Sequence, residues 1–445
     1  MDAAGPGWTR LTMADSELIV AVEKVWRIPR PGPDNLLKAP AFVALSALCD
    51  RLYGAGSPKF ALSTALRSLG LPCQLPAKQA GLALDPATAA TALEAAFGRK
   101  TAVRRHLCPL DLADDLAPLA FGRSRVAQFG ADELASLFDA PRLARTFPNT
   151  PLDAKRLAQF HWLVVEEELQ LDQPPEARAV PVLFMDMRRD FGEIEPHLGR
   201  FPAIVESALA FLLLAPWEEW STMLEVDWRG FRVPWIYTIS DDLFERPNPP
   251  PSPDSLSLEP WIVDDHGEEI ELERPTTLRL DDAAAAGLAQ FDESAWREFL
   301  HAATASVYET PIVHFLVRAF LADGMDEIMA HMTAIEAALS LEADHRAKPK
   351  GDPHPKFGPT KRVMARMAGL LNDAQAAQAY KDLFELRSAY VHGRGGLQKV
   401  STPERVRARS LARRVARALV DVAAQPTRPR EDTMSDLLTK GAPLL

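Results

Sequence analysis

The stretch Leu386-Arg387-Ser388-Ala389-Tyr390-Val391-His392-Gly393 places an arginine and a histidine with four residues between them, just ahead of a glycine. Arginine keeps its charge at every physiological pH, whereas histidine titrates near neutrality. Together they suit phosphodiester cleavage without a metal. The guanidinium can stabilise a phosphorane-like charge while the imidazole moves the proton of an attacking or leaving hydroxyl. Ser388 lies four residues before His392, on the same helical face, where its hydroxyl can orient the imidazole or contact a phosphate. On an ideal helix, however, residues five apart are rotated by about 140°, so Arg387 and His392 do not meet automatically. Either the helix ends at Gly393 and lets His392 leave the helical path, or a second copy completes the cleft. A structural reading competes: the helix dipole favours a histidine at a C-terminus, and arginine is common within helices.

The elements that must position these residues are helical. Asp292 or Ser294 caps a helix through Trp296, Phe299 and Leu300, and a second runs from Pro311 through Leu321 and ends near Gly324. Met325 to Leu341 follows with Ile328, Met332, Ile335, Ala338 and Leu339 at helical spacing. After a polar loop, Ala347 to Pro359, come Thr360 to Leu371, Asp373 to His392 and Thr402 to Val422. Ser401 and Glu404 have capping-box spacing there, with Pro403 in the first turn. Residues 286–425 therefore read as an all-α bundle and 426–445 as a tail. Residues 1–155 read as mainly helical, with helices at Pro40 to Leu52, Pro86 to Phe97 and Gly130 to Phe138. Residues 156–285 mix α and β, with strand-like runs at Trp162 to Val165, Val180 to Phe184, Phe231 to Ile239 and Glu269 to Leu272 around the apolar helix Phe201 to Trp217. The expected fold class is α+β overall.

Charge is distributed unevenly. The chain of 445 residues carries a net charge of -11, yet His345 to Arg417 holds 17 Lys and Arg against 5 Asp and Glu. That basic segment can meet a polyanion while the acidic remainder keeps the chain in solution. Arg405, Arg409 and Arg413 share one face at four-residue spacing, and with Arg394 they form a candidate track for an RNA backbone; a solvated amphipathic face is the other reading. Glu336 is a further polar candidate, either in the cleft or paired with a neighbour such as Arg362. No metal or other cofactor is expected, since the histidines never form HExxH or paired-ligand spacing. No phosphate-binding GxxxxGK[ST] loop or GxSxG elbow is present either. Cys49, Cys73 and Cys108 lack CxxC spacing and read as reduced thiols. Met1 to Arg10 shows no secretory pattern, and no apolar run is long enough to span a membrane, so a cytoplasmic protein is expected.

The segment from about Pro311 to Val422 resembles the HEPN superfamily, most closely its Apea-like branch. The matching pieces are Ala334-Ile335-Glu336-Ala337-Ala338-Leu339, Lys356-Phe357-Gly358-Pro359-Thr360-Lys361-Arg362 and, most specifically, Leu383-Phe384-Glu385-Leu386-Arg387-Ser388-Ala389-Tyr390-Val391-His392-Gly393. The resemblance covers roughly the final third of the chain. It implies a helical bundle that pairs with a second copy, bringing two such motifs into one cleft, and a metal-independent endoribonuclease of antiphage defence or toxin systems. Carried onto this chain, Arg387 would bind the scissile phosphate and His392 would act as general acid or base. Ser388 takes the polar position beside the arginine, where the family also carries Asn or Asp. RNA and a second copy are the implied partners. Other family members keep the bundle only to bind RNA or nucleotide or to dimerise, and a ligand sensor in the tryptophan-rich middle is a third possibility.

Overall fold

The computed structural model describes residues 16–113, 116–179, 201–220, 229–256, 261–263, 266–271, 282–308, 311–346, 352–393, 399–426 and 428–445. Four helices come first: α1 (Ser16–Trp26), α2 (Pro40–Tyr53), α3 (Lys59–Ser68) and α4 (Pro86–Gly98). Strands β1 (Thr101–Leu110), β2 (Leu119–Phe121) and β3 (Ser124–Gln128) follow, then short helices α5 (Ala131–Leu137), α6 (Ala140–Thr146) and α7 (Ala154–Leu157), and strand β4 (His161–Gln170). Helices α8 (Pro175–Ala179), α9 (Ala203–Leu212) and α10 (Trp217–Trp220) lead to β5 (Tyr237–Ser240) and the small hairpin of β6 (Trp261–Val263) and β7 (Glu269–Glu271). The remainder is helical: α11 (Asp282–Leu288), α12 (Glu293–Ala303), α13 (Ile312–Leu321), α14 (Gly324–Leu339), α15 (Pro359–Leu371), α16 (Ala374–Val391), α17 (Thr402–Ala423) and α18 (Arg430–Gly441). The architecture is α+β, with one antiparallel five-stranded sheet in the middle and helices at both ends. Among the described residues, no helix is long and apolar enough to cross a membrane.

The sheet runs in the order β2-β3-β4-β1-β5, and its central part, the paired halves of β4 and β1, is buried on both faces. Alternate residues of β4 feed different cores, Leu163 and Val165 on one side and Trp162 and Val164 on the other. Period-two alternation thus makes an unbroken apolar run the correct composition for this strand half. Its other half is charged and is matched across the ladder, with Arg105 donating to Glu166 at 2.8 Å. The sheet draws β1 to β3 from the region expected to be mainly helical. Residues 180–184, expected as a strand, lie outside the described residues. Trp162, Trp217 and Trp296 are buried in the cores.

One core continues from the sheet through α9 into α12–α18, passing residue 285 without interruption. The stretch read as a tail contains α18, which buries Met434, Leu437 and Leu438. Arg430 at its start is buried and donates to the carbonyls of Ala337 (2.8 Å) and Ala338 (2.7 Å), which the end of α14 leaves unpaired, and to that of Val307 (2.6 Å). Helices α15 and α18 approach so closely that a Cβ on Gly441 would overlap the Ala365 carbonyl, and one on Gly369 the Leu437 carbonyl.

Candidate functional site

Helix α16 carries the Arg387/His392 motif on its final turns. At its start Asp373 accepts hydrogen bonds from the backbone N–H groups of Gln375 (2.9 Å) and Ala376 (3.2 Å), a cap that fixes the helix entry. Asp373 also receives Arg414 of α17 at 2.8 Å. The Arg414 bond comes first in holding its carboxyl below the usual range; burial works against it, and the two backbone donors add to the lowering. At the far end Gly393 adopts φ +59°, a left-handed conformation that suits glycine and stops the helix. His392 is the C-cap, with φ -98° and ψ 7°, and its N–H donates to the Ser388 carbonyl at 3.0 Å. The backbone of His392 thus stays tied to the last turn, and the helix stops directly after it.

Phe384, Arg387, Ser388, Val391 and His392 line one pocket of about 180 Å³. His392 is exposed, as are Tyr390 and Val391, which present 43% and 52% of their surface. Arg387 and Ser388 are half-buried. Arg387 reaches across to α14, where its Nη1 donates to Glu336 Oε1 at 2.6 Å. The side chains of that ion pair are 25% and 27% exposed. Glu336 thus pairs with Arg387, and Arg362, its other candidate partner, pairs with Asp352 instead.

The other arginines singled out from the sequence are placed differently. The expected exposed row on α17 turns inward, with Arg409 and Arg413 buried and Arg405 half-buried. Glu327 of α14, 0% exposed, accepts from Arg405 (Nε 3.0 Å, Nη2 2.8 Å) and Arg409 (Nε 3.2 Å, Nη2 2.5 Å). It also accepts from Arg229 Nη2 at 3.0 Å. Arg413 donates to Glu218 Oε1 at 2.5 Å and to Glu219, both on α10. These side chains lock α17 to α14 and α10, and as placed they neither track a polyanion nor form a solvated face. Desolvation alone would raise the Glu327 carboxyl. The adjacent His331 imidazole, 3.8 Å away, and the charges of Arg409 and Arg229 outweigh it and hold Glu327 well below the usual carboxylate range. Deeper in the bundle Arg366 binds Asp344 at 2.9 Å, so much of the basic segment is neutralised internally. Arg394 lies outside the described residues.

The sequence names Glu336 as a candidate in the cleft but gives neither Arg387 as its partner nor the apolar floor formed by Phe384 and Val391. The floor has a sequence signal, since residues 384, 387, 388, 391 and 392 follow helical spacing. The partner has none, because Glu336 is 51 positions from Arg387. Among the described residues no group of three or more His, Cys, Asp or Glu side chains is arranged to hold a metal ion. Comparison with known proteins adds no identity to this geometry: no family model, no curated protein and no solved structure matches the chain.

Proposed function

We propose that the chain is a metal-independent endoribonuclease of the HEPN type, acting through Arg387 and His392. The observation that supports this most is the convergence of Arg387, Ser388 and His392 on one pocket, with the imidazole exposed and the guanidinium half-buried. The ribose 2′-hydroxyl attacks the adjacent phosphorus, the bond to the 5′-oxygen breaks, and the products end in a 2′,3′-cyclic phosphate and a 5′-hydroxyl. His392 carries the proton taken from the nucleophile or given to the leaving oxygen. Arg387 stabilises the charge that builds on the phosphoryl oxygens, and Ser388 donates a further hydrogen bond. A second copy packs over the exposed Tyr390 and Val391, so that two motifs share one cleft. A role in antiphage defence or as a toxin follows from the resemblance of the motif.

The test is cleavage of a mixed RNA panel in EDTA by the wild type, Arg387→Ala and His392→Ala, with analysis of the product ends. Cuts ending in 2′,3′-cyclic phosphate and lost in both variants are the expected result. Equal behaviour of all three proteins would replace this reading with a non-catalytic module that binds RNA or nucleotide or dimerises.

A further inference from the structure

We propose that the Glu336–Arg387 ion pair is an autoinhibitory contact, in which Glu336 keeps the phosphate-binding guanidinium neutralised until RNA draws Arg387 away from it. The inference rests on the proposed role of Arg387 as a phosphate ligand. Glu336 Oε1 lies 2.6 Å from Arg387 Nη1 and accepts the one side-chain hydrogen bond that Arg387 makes among the described residues. Arginine offers five N–H donors, so a phosphate can still reach the guanidinium, but it arrives beside a carboxylate of its own sign. Both side chains are about three-quarters buried, which weakens solvent screening and makes that repulsion count.

The carboxylate is also mounted on a helix that cannot easily yield. Nine residues separate Glu327 from Glu336, about two and a half turns, so the two acids project from opposite faces of α14. Glu327 is gripped by Arg229, Arg405 and Arg409 on one face, while Glu336 meets Arg387 on the other. Glu336 is therefore held behind the pocket-lining Arg387 on a braced helix, and it is Arg387, on the last turns of α16, that moves when the pair opens. A carboxylate whose task was simply to solvate a helix surface would have no reason to face the motif arginine.

The experiment uses the full chain and a 2′-O-methyl RNA oligonucleotide, which can bind but lacks the nucleophile. Its dissociation constant is measured by fluorescence anisotropy for wild type, Glu336→Gln, Glu336→Ala and Arg387→Ala. Glu336→Gln keeps an oxygen acceptor for Arg387 and removes only the charge, so RNA binding should tighten on the order of tenfold. Glu336→Ala should tighten it too, and Arg387→Ala should weaken it. Unmodified RNA at subsaturating concentration should be cut correspondingly faster by Glu336→Gln. If both Glu336 variants bind RNA no better than wild type while Arg387→Ala is impaired, the inhibitory role is overturned and the proposed function survives. Weaker binding and slower cleavage by Glu336→Gln would overturn it in favour of a positioning role. If Arg387→Ala binds like wild type, or if no protein binds, Arg387 is not a phosphate ligand and both proposals fall.

Discussion

Helices α16 and α17 both carry arginines toward α14, and the two sets meet opposite fates. On α17, Arg405 and Arg409 converge on the fully buried Glu327, while Arg413 reaches Glu218 and Glu219 of α10. On α16, Arg387 makes one side-chain hydrogen bond among the described residues, to Glu336, and lines a pocket together with an exposed histidine. In the first set each guanidinium offsets its own desolvation by multiple charge-assisted bonds, which commit its donors to protein acids. In the second, one hydrogen bond leaves most of the donors uncommitted. The same residue type is cement in one place and an available reagent in the other. What separates the two is the number of hydrogen bonds each guanidinium makes to its acids and how deeply those acids are buried, a property of tertiary packing.

The strongest way to break this comparison is to remove the central acid. Glu327→Gln leaves three guanidinium groups facing an amide, and loss of one partner from a buried charge cluster costs about 3–5 kcal/mol. Urea unfolding of the full chain should show that loss at pH 7. The folded-state carboxyl is depressed, so its contribution is present above the unfolded value of about 4.3 and is lost as the pH falls toward the folded value. The gap between wild type and Glu327→Gln should therefore narrow on acidification below about pH 4. A gap that stays constant would mean that charge is not what Glu327 contributes.

A smaller loss is expected where the helices touch through glycine. Gly441→Ala places a methyl against the Ala365 carbonyl, and forced overpacking of this kind typically costs about 1–3 kcal/mol. Thermal unfolding should show a lower midpoint, and Gly369→Ala should behave similarly. Unchanged midpoints would mean that α18 is not packed on α15 as described and that the bundle is complete without it.

Where the chain writes its signals locally, the sequence was readable. The Asp292 and Asp373 caps, the Ser401/Glu404 capping box and Gly393 all act within four residues, and the helices begin and end at or next to them. Strand β1 was not readable. Arg104, Arg105 and His106 interrupt its apolar run, and the acids that accommodate them, Glu166 and Glu167, lie on β4 about sixty positions away. Helix α18 was missed because its sequence is mostly polar and its three apolar anchors make sense only once Gly369 lets α15 come close. For the α17 arginines a signal existed and was misweighted. Ala408, Ala412 and Ala416 fall within or beside the arc that Arg405, Arg409 and Arg413 occupy, which marks that arc as the border of the buried stripe. That Arg387 and His392 line one pocket is matched by a local feature, the i,i+4 spacing of residues 384, 388 and 392 and of 387 and 391 along α16. The Glu336 contact had no local trace.

The smallest expected effect is the one that sharpens the contrast most. His392 is exposed at the C-cap, and its link to the helix is the backbone N–H to the Ser388 carbonyl, which an alanine keeps. His392→Ala should therefore change unfolding stability by no more than about 0.5 kcal/mol, the range of ordinary surface substitutions. If the variant is as stable as wild type and RNA cleavage is lost, the histidine is retained for chemistry. If it loses 1 kcal/mol or more, His392 belongs with the α17 arginines as a structural group, and the division between the two helices dissolves.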